Sequence, residues 1–163
     1  GAILARTGGP RARRLYVELK ADEGPGDLVR ILELLNGSGG RDRIVVISLD
    51  FELLAQLRAM DPDLLLGYVV ESEDRLEEAL SRVRADGRSL LDPNQALLRK
   101  DPARTSAWIE EGLRLATWTV NEESHARALL AMGVRRLTTD EPGQVLGGLA
   151  RSPRGATGKP FTR

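Results

Sequence analysis

A carboxylate and an ammonium two residues apart on a short β-rich run, Glu18 and Lys20 in Leu15-Tyr16-Val17-Glu18-Leu19-Lys20, are the residues whose types and spacing most invite chemistry. In a strand the period of two places Leu15, Val17 and Leu19 on one face and Tyr16, Glu18 and Lys20 on the other. The aliphatic face suits packing against helices, so the two charges belong to the opposite face of a strand covered on both sides. Burying such groups unpaired costs several kcal/mol, on the order of a whole protein's net stability. They must therefore pair, bind a ligand or sit at a wet rim. From the spacing alone, a Glu18–Lys20 ion pair and a ligand site fit equally well.

Further polar groups gather at the ends of other β-rich runs: Ser48 and Asp50, Glu71, Asp92 and Asn94, Trp118 through Asn121, and Thr138 through Asp140. Trp118, among polar neighbours at a strand end, suits an aromatic wall for a ligand as well as plain packing. Trp108 precedes Ile109 in a helical stretch and reads as core. The single histidine, His125, has Leu129 and Met132 at i+4 and i+7 and so edges a helical packing face. The run Gly37-Ser38-Gly39-Gly40 follows a helix and precedes a strand, the reverse of a phosphate-cradling loop, and reads as a helix stop and turn. No G-x-G-x-x-G, P-loop or G-x-S-x-G motif occurs.

Six β-rich runs position these groups: Leu15–Lys20, Ile44–Asp50, Leu64–Val70, Ser89–Asp92, Leu115–Asn121 and Arg136–Asp140. Between and after them the spacing predicts helices over Gly26–Asn36, Phe51–Met60, Ser72–Ala85, Pro102–Gly112, Glu122–Met132 and Pro142–Ala150. Strict alternation implies a parallel sheet covered by helices. An open doubly wound sheet and part of a (β/α)8 barrel both satisfy it; a whole barrel takes about 250 residues and eight units. In either case the ligand site belongs at the carboxyl ends of the strands.

Composition narrows the function classes. The chain has 163 residues, 24 Lys+Arg against 24 Asp+Glu, and no cysteine. That suffices for one domain, 1–150, with the Pro- and Gly-rich remainder, 151–163, expected to be a disordered tail. Interspersed charges of zero net sum offer no basic stripe, so nucleic acid is not an expected partner. Without cysteine there is no disulfide, thiolate nucleophile or thiolate-bound metal. The apolar runs fall far short of the ~18–20 residues that span a bilayer, so the chain as given reads as soluble, its cellular location open.

Taken in order, Leu15-Tyr16-Val17-Glu18-Leu19-Lys20, Val46-Ile47-Ser48-Leu49-Asp50 with Leu57-Arg58 and Asp61-Pro62, Gly67-Tyr68, Thr117-Trp118-Thr119-Val120-Asn121, and Gly133-Val134 with Thr138-Thr139-Asp140-Glu141-Pro142 resemble the glycerophosphodiester phosphodiesterases over about residues 15–148. The variants look most like the bacterial branch whose catalytic domain follows a membrane domain. The resemblance implies a TIM-type barrel that hydrolyses glycerophosphodiesters to an alcohol and sn-glycerol 3-phosphate with a divalent cation, Mg2+ or Ca2+. It implies that Glu18 is a metal-ligand carboxylate, that Lys20 faces the substrate phosphate, that Trp118 lines the pocket near the glycerol end, and that Asn121, Asp140 and Pro142 shape the rim.

The family's early His-Arg pair, Glu-x-Asp and second His have no counterpart here, so the six units are expected to correspond to strands three to eight of an incomplete barrel. A hard cation takes six or more oxygens, and Glu18 supplies one or two. No catalytic acid or base is expected within the chain; the cation belongs to the complete domain only, and the chain alone should be inactive. Strands three and eight would be open edges, a route to oligomers or aggregation. Two alternatives stay open: a non-catalytic phosphodiester- or partner-binding module, and an unrelated open α/β domain.

Overall fold

The computed structural model describes residues 14–20 and 25–151. Four parallel strands, β1 (Leu15–Glu18), β2 (Ile44–Ser48), β3 (Leu65–Val70) and β4 (Leu90–Pro93), lie in sequence order with no strand-order reversal. Registers run Val17 to Val46, Val46 to Leu66 and Tyr68 to Leu91. Three further parallel bridges extend the arc, Leu91 to Leu115, Asn94 to Trp118 and Thr117 to Leu137. Adjacent, same-direction neighbours all the way along are those of a barrel arc, and the open doubly wound alternative, which requires a reversal, is set aside.

Helices fill the crossovers: α1 (Pro25–Asn36), α2 (Phe51–Met60), α3 (Leu76–Asp86), α4 (Gln95–Lys100), α5 (Pro102–Glu110), α6 (Glu123–Ala131) and α7 (Pro142–Arg151). Asp50 caps α2, its carboxylate accepting from the backbone N–H of Glu52 and Leu53. The glycine run ends α1 as expected: the Gly37 N–H donates to the Glu33 carbonyl, and Gly39 takes a positive φ of 68°.

Four expectations need correction. The stretch expected to be helical over Ser72–Ala85 opens with a 3-10 turn, Glu73–Arg75. Helix α4 was not expected; Asn94 caps it through the Ala96 N–H, but six residues carry too little periodicity to betray a helix. Arg151 closes α7 instead of opening a tail, and residues 152–163 lie outside the described ones.

The fifth and sixth expected strands reduce to isolated bridges. Leu91 donates to the Arg114 carbonyl and accepts from the Ala116 N–H, but the next donor on that rail is Pro93, which has no N–H. The Pro93 carbonyl instead receives the Thr117 hydroxyl at 2.7 Å. Pairing resumes only at the Gln95 N–H, which donates to the Trp118 carbonyl. On the far side, the Thr138 carbonyl accepts from Val120 rather than from Thr119, so the register slips by one residue.

The two faces of the sheet differ as the alternation in β1 requires. Leu19, Ile44, Val46, Leu66, Tyr68, Val70, Leu91 and Leu115 face the helices and share one core with Leu28, Phe51, Leu54, Leu57, Leu80 and Leu129. The opposite face forms a small second cluster of Val45, Leu90 and Ala116, flanked by Tyr16, Ile47 and Leu65. Gly67 belongs to that concave face and must lack a side chain: a Cβ there would lie 2.8 Å from both Ile47 Cγ2 and Leu90 Cδ1.

Candidate active site

Glu18 ends β1, two residues beyond Tyr16 and therefore on the same concave face. It lines a cavity of about 390 Å³ with Ile47, Leu49, Val69, Glu71, Asp92, Trp118, Thr119 and Thr138. These are the carboxyl ends of the strands and the loops that follow them. A second hollow of about 230 Å³ adjoins it, lined by Glu18, Leu19, Lys20, Ser48, Leu49 and Asp50. Glu18 and Leu49 thus form the wall that both hollows share. Among the described residues Glu18 and Lys20 make no ion pair with each other, and both are exposed.

The other expected residues divide clearly. Trp118 stands half-buried in the wall of the larger cavity, its indole N–H donating to the Asp92 carbonyl at 2.9 Å. Asn121 and Asp140 meet one strand further on. The Asn121 amide donates to Asp140 Oδ2 at 3.3 Å, and its oxygen accepts from the Thr139 hydroxyl and the Asp140 N–H. Pro142 follows as the first residue of α7. This tie joins the rim but does not line either hollow. Ser48 and Asp50 are occupied in structural bonds: the Ser48 hydroxyl donates to the Leu19 carbonyl at 2.7 Å, and Asp50 caps α2. His125 lies on α6, its Nε2 3.6 Å from a Glu122 carboxylate oxygen, and Trp108 is buried with the Arg104 guanidinium 5.0 Å from its ring centre.

Asp92 is the residue whose importance the sequence understated. It is 2% exposed, and its Oδ1 has no hydrogen-bond partner. Burial, reinforced by the nearby negative charge of Glu18, pushes its carboxyl up to about 7. Tyr16, on the same face, has a buried hydroxyl without a partner, and its burial likewise raises its pKa. The β1 alternation argument applied to Leu90-Leu91-Asp92 would have put Asp92 on the concave face with Leu90, which was the available signal.

Glu18 was expected to be one carboxylate of a divalent-cation site that only the complete domain holds. Among the described residues no group of three or more His, Cys, Asp or Glu is placed to hold a metal ion. Glu18 offers one carboxylate where a hard cation takes six or more oxygens, so these residues by themselves do not fit the ion.

The first and last strands of the arc leave a gap. A cavity of about 750 Å³ lies between Arg14 and Tyr16 on one side and Arg135, Arg136, Leu137 and Thr138 on the other, with Ala116 at its floor. Among the described residues, nothing pairs with the outer edge of β1 or of the Leu137 segment.

A parallel, helix-covered arc with its cavity at the strand carboxyl ends defines a partial (β/α)8 barrel of the kind that carries catalytic sites on that rim. The glycerophosphoryl diester phosphodiesterase family model matches residues 17–144, and the chain belongs to that family. The fold is similar to that of a protein of Silicibacter pomeroyi DSS-3 assigned to the glycerophosphoryl diester phosphodiesterases, with TM-score 0.76 and 29% identity over 91% of this chain and 55% of that one. It is also similar to a glycerophosphodiester phosphodiesterase from Parabacteroides distasonis, with TM-score 0.73 and 20% identity over 90% of this chain and 61% of that one. An Oleispira antarctica phosphodiesterase in complex with the product sn-glycerol-3-phosphate superposes with TM-score 0.68 and 19% identity, over 83% of this chain and 56% of that one. The chain therefore spans between 55% and 61% of the length of these three structures. Among curated proteins no significant match was found. Among the described residues, no helix is long and apolar enough to cross a membrane.

Proposed function

We propose that this chain supplies the phosphoester-binding wall of a glycerophosphodiester phosphodiesterase, its six βα units corresponding to strands three to eight of the barrel. The observation that carries this reading is the placement of Glu18: on the concave face, at a strand carboxyl end, in the wall shared by both hollows, with Lys20 in the smaller one. Lys20 is the cation that faces the phosphate. Glu18 is one carboxylate of a divalent-cation site whose other ligands lie outside the described residues. Trp118 walls the pocket, and the Asn121–Asp140 tie holds the rim in shape. Family membership and the neighbour with bound sn-glycerol-3-phosphate support the substrate class.

The chain alone binds without turning over. His125, the one histidine, is on α6 outside both hollows, and the described carboxylates do not gather around a cation. Hydrolysis of a phosphodiester needs an acid for the leaving alkoxide and a positioned nucleophile, and neither hollow offers that set. The 750 Å³ gap, with Arg14, Arg135 and Arg136 on its walls, is where complementary strands would complete the barrel, and the unpaired edges beside it favour self-association.

Titration with sn-glycerol 3-phosphate in the presence of Mg2+, followed by nuclear magnetic resonance, tests the binding. Saturable shifts at Lys20 and Trp118 are expected, and Lys20→Ala should weaken binding by about tenfold, the scale of one charge-assisted hydrogen bond. Unchanged affinity in that variant would remove Lys20 from the site. Incubation with glycerophosphocholine should release no glycerol 3-phosphate; steady release would overturn the assignment of the chain as catalytically incomplete.

A further inference from the structure

Within the larger cavity, the least explained group is the Asp92 carboxyl. It is 2% exposed, its Oδ1 has no partner, and none of the ion pairs among the described residues uses it. Natural folds leave few buried polar atoms unsatisfied, and each one needs an account. Capping does not provide it: Asn94, not Asp92, caps α4, and it is the backbone carbonyl of Asp92, not its side chain, that receives the Trp118 indole. The orphaned oxygen belongs to a residue that lines a cavity of about 390 Å³, inside the size range of small-ligand sites, ~300–1,000 Å³.

The chemistry of the lining selects what enters. It contains Glu18, Glu71 and Asp92 but no Lys, Arg or His, so the phosphate itself is disfavoured there and belongs beside Lys20 in the adjoining hollow. The rest of the lining is mostly apolar, Ile47, Leu49, Val69 and the ring of Trp118, with Thr119 and Thr138 completing it. Because the indole N–H is already engaged, Trp118 presents only its apolar ring. An unpaired carboxyl oxygen asks for a donor. A neutral hydroxyl costs far less to bring into an apolar pocket than an ammonium does. Glu71 is exposed and screened by solvent, and Glu18 is the carboxylate assigned to the divalent cation.

We propose that Asp92 is a specificity-determining residue that recognises a hydroxyl-bearing carbon arm of the phosphoester, accepting from its hydroxyl while the Trp118 ring packs along the arm. This deepens the reading in which the phosphate end sits by Lys20 and rests on it for the position of that end. The shared wall of Glu18 and Leu49 lets one ligand occupy both hollows. Asp92 is thus a discriminator between phosphoesters and not a member of the reacting set.

The test compares sn-glycerol 3-phosphate, n-propyl phosphate, which lacks the hydroxyls, and glycerol alone at high concentration. Each is titrated into the full chain with Mg2+ while the indole N–H resonance of Trp118 is followed. The wild type should prefer glycerol 3-phosphate to propyl phosphate by about five- to tenfold, the scale of one or two net hydrogen bonds. Asp92→Leu should equalise the two, while Asp92→Asn, which keeps an acceptor, should retain part of the preference. A preference that survives in Asp92→Leu overturns the assignment of Asp92 and leaves the phosphate reading intact. If neither ester binds, the phosphate reading fails, and glycerol alone decides: a Trp118 shift present in the wild type and lost in Asp92→Leu upholds the role of Asp92, and no shift in either ends it.

Discussion

The two faces of the sheet obey different rules. On the convex side Val46, Leu66, Val70 and Leu91 enter one continuous core, and the Ser48 hydroxyl and Thr117 hydroxyl are each spent on a carbonyl. On the concave side the buried apolar set shrinks to Val45, Val69, Leu90 and Ala116, and two buried polar atoms, Tyr16 Oη and Asp92 Oδ1, have no partner. The first face is built to be stable, and the second tolerates groups that stability alone would remove. Each unsatisfied buried group on that face calls for an account that packing alone does not give.

The largest effect that tests this contrast comes from the convex side. Phe51 is 1% exposed, meets the Tyr68 ring edge-on with centroids 5.2 Å apart, and lies under the Arg75 guanidinium at 4.0 Å. Phe51→Ala deletes the packing that joins α2 to β3 and leaves a cavity too enclosed to collapse. A loss of about 3–5 kcal/mol is expected in urea denaturation. A loss below about 1 kcal/mol would mean that the helix layer is loosely packed and that the two faces do not differ in kind.

Asp92 should show the opposite sign. Its folded pKa, about 7, stands above the ordinary aspartate value, so between about 4 and 7 the unfolded chain ionises this group while the folded chain keeps it protonated. The folded state then binds more protons, and stability falls as pH rises through that window, by at most about 1.4 kcal/mol per pH unit. Below about 4 the penalty vanishes, because both states are protonated. The salt-bridged carboxylates run the other way. Asp61 and Asp86 are both buried in part, which alone would raise them; hydrogen bonds, from Arg41 to the first and from Ser89 and Arg58 to the second, overcome this and lower both. Their contribution is present above the ordinary aspartate value and lost as pH falls below it. Between pH 5 and 7 the Asp92 slope should therefore stand out, and Asp92→Asn should flatten it. A wild-type stability that rises across this interval would contradict the buried, unpaired state of Asp92.

How far the sequence reveals this division depends on how local each cause is. The alternation in Leu15–Lys20 is local, and the order of those six residues is enough to place Glu18 and Lys20 on the concave face. The stop at Gly37–Gly40 is local too and stands where expected, whereas Asp50, counted by the sequence among the polar strand ends, serves as a helix cap. The reduction of Leu115–Asn121 and Arg136–Asp140 to bridges is not local. It follows from Pro93 on the neighbouring strand and from a one-residue slip against Thr138, neither of which is visible in the segments themselves. The same holds for Asp92: its identity and strand-end position are plain in the sequence, but the lack of a partner for its Oδ1 is a property of the assembled arc.

The smallest effect probes where the two faces meet, at the rim. Asn121 spends its side chain on three contacts, donating to Asp140 and accepting from the Thr139 hydroxyl and the Asp140 N–H, while its carbonyl receives the Gln144 amide. Asn121 is half-buried and Asp140 is exposed, so water replaces most of what is lost on truncation. Asn121→Ala should cost only about 1 kcal/mol in urea denaturation, the net value of a few partly solvated hydrogen bonds. Its effect on ligand affinity should be smaller than that of Lys20→Ala, because the tie lines neither hollow. If Asn121→Ala instead abolished binding while the melting transition stayed put, the rim would have to reach the ligand directly, and the boundary between supporting and contacting residues would move one strand further around the arc.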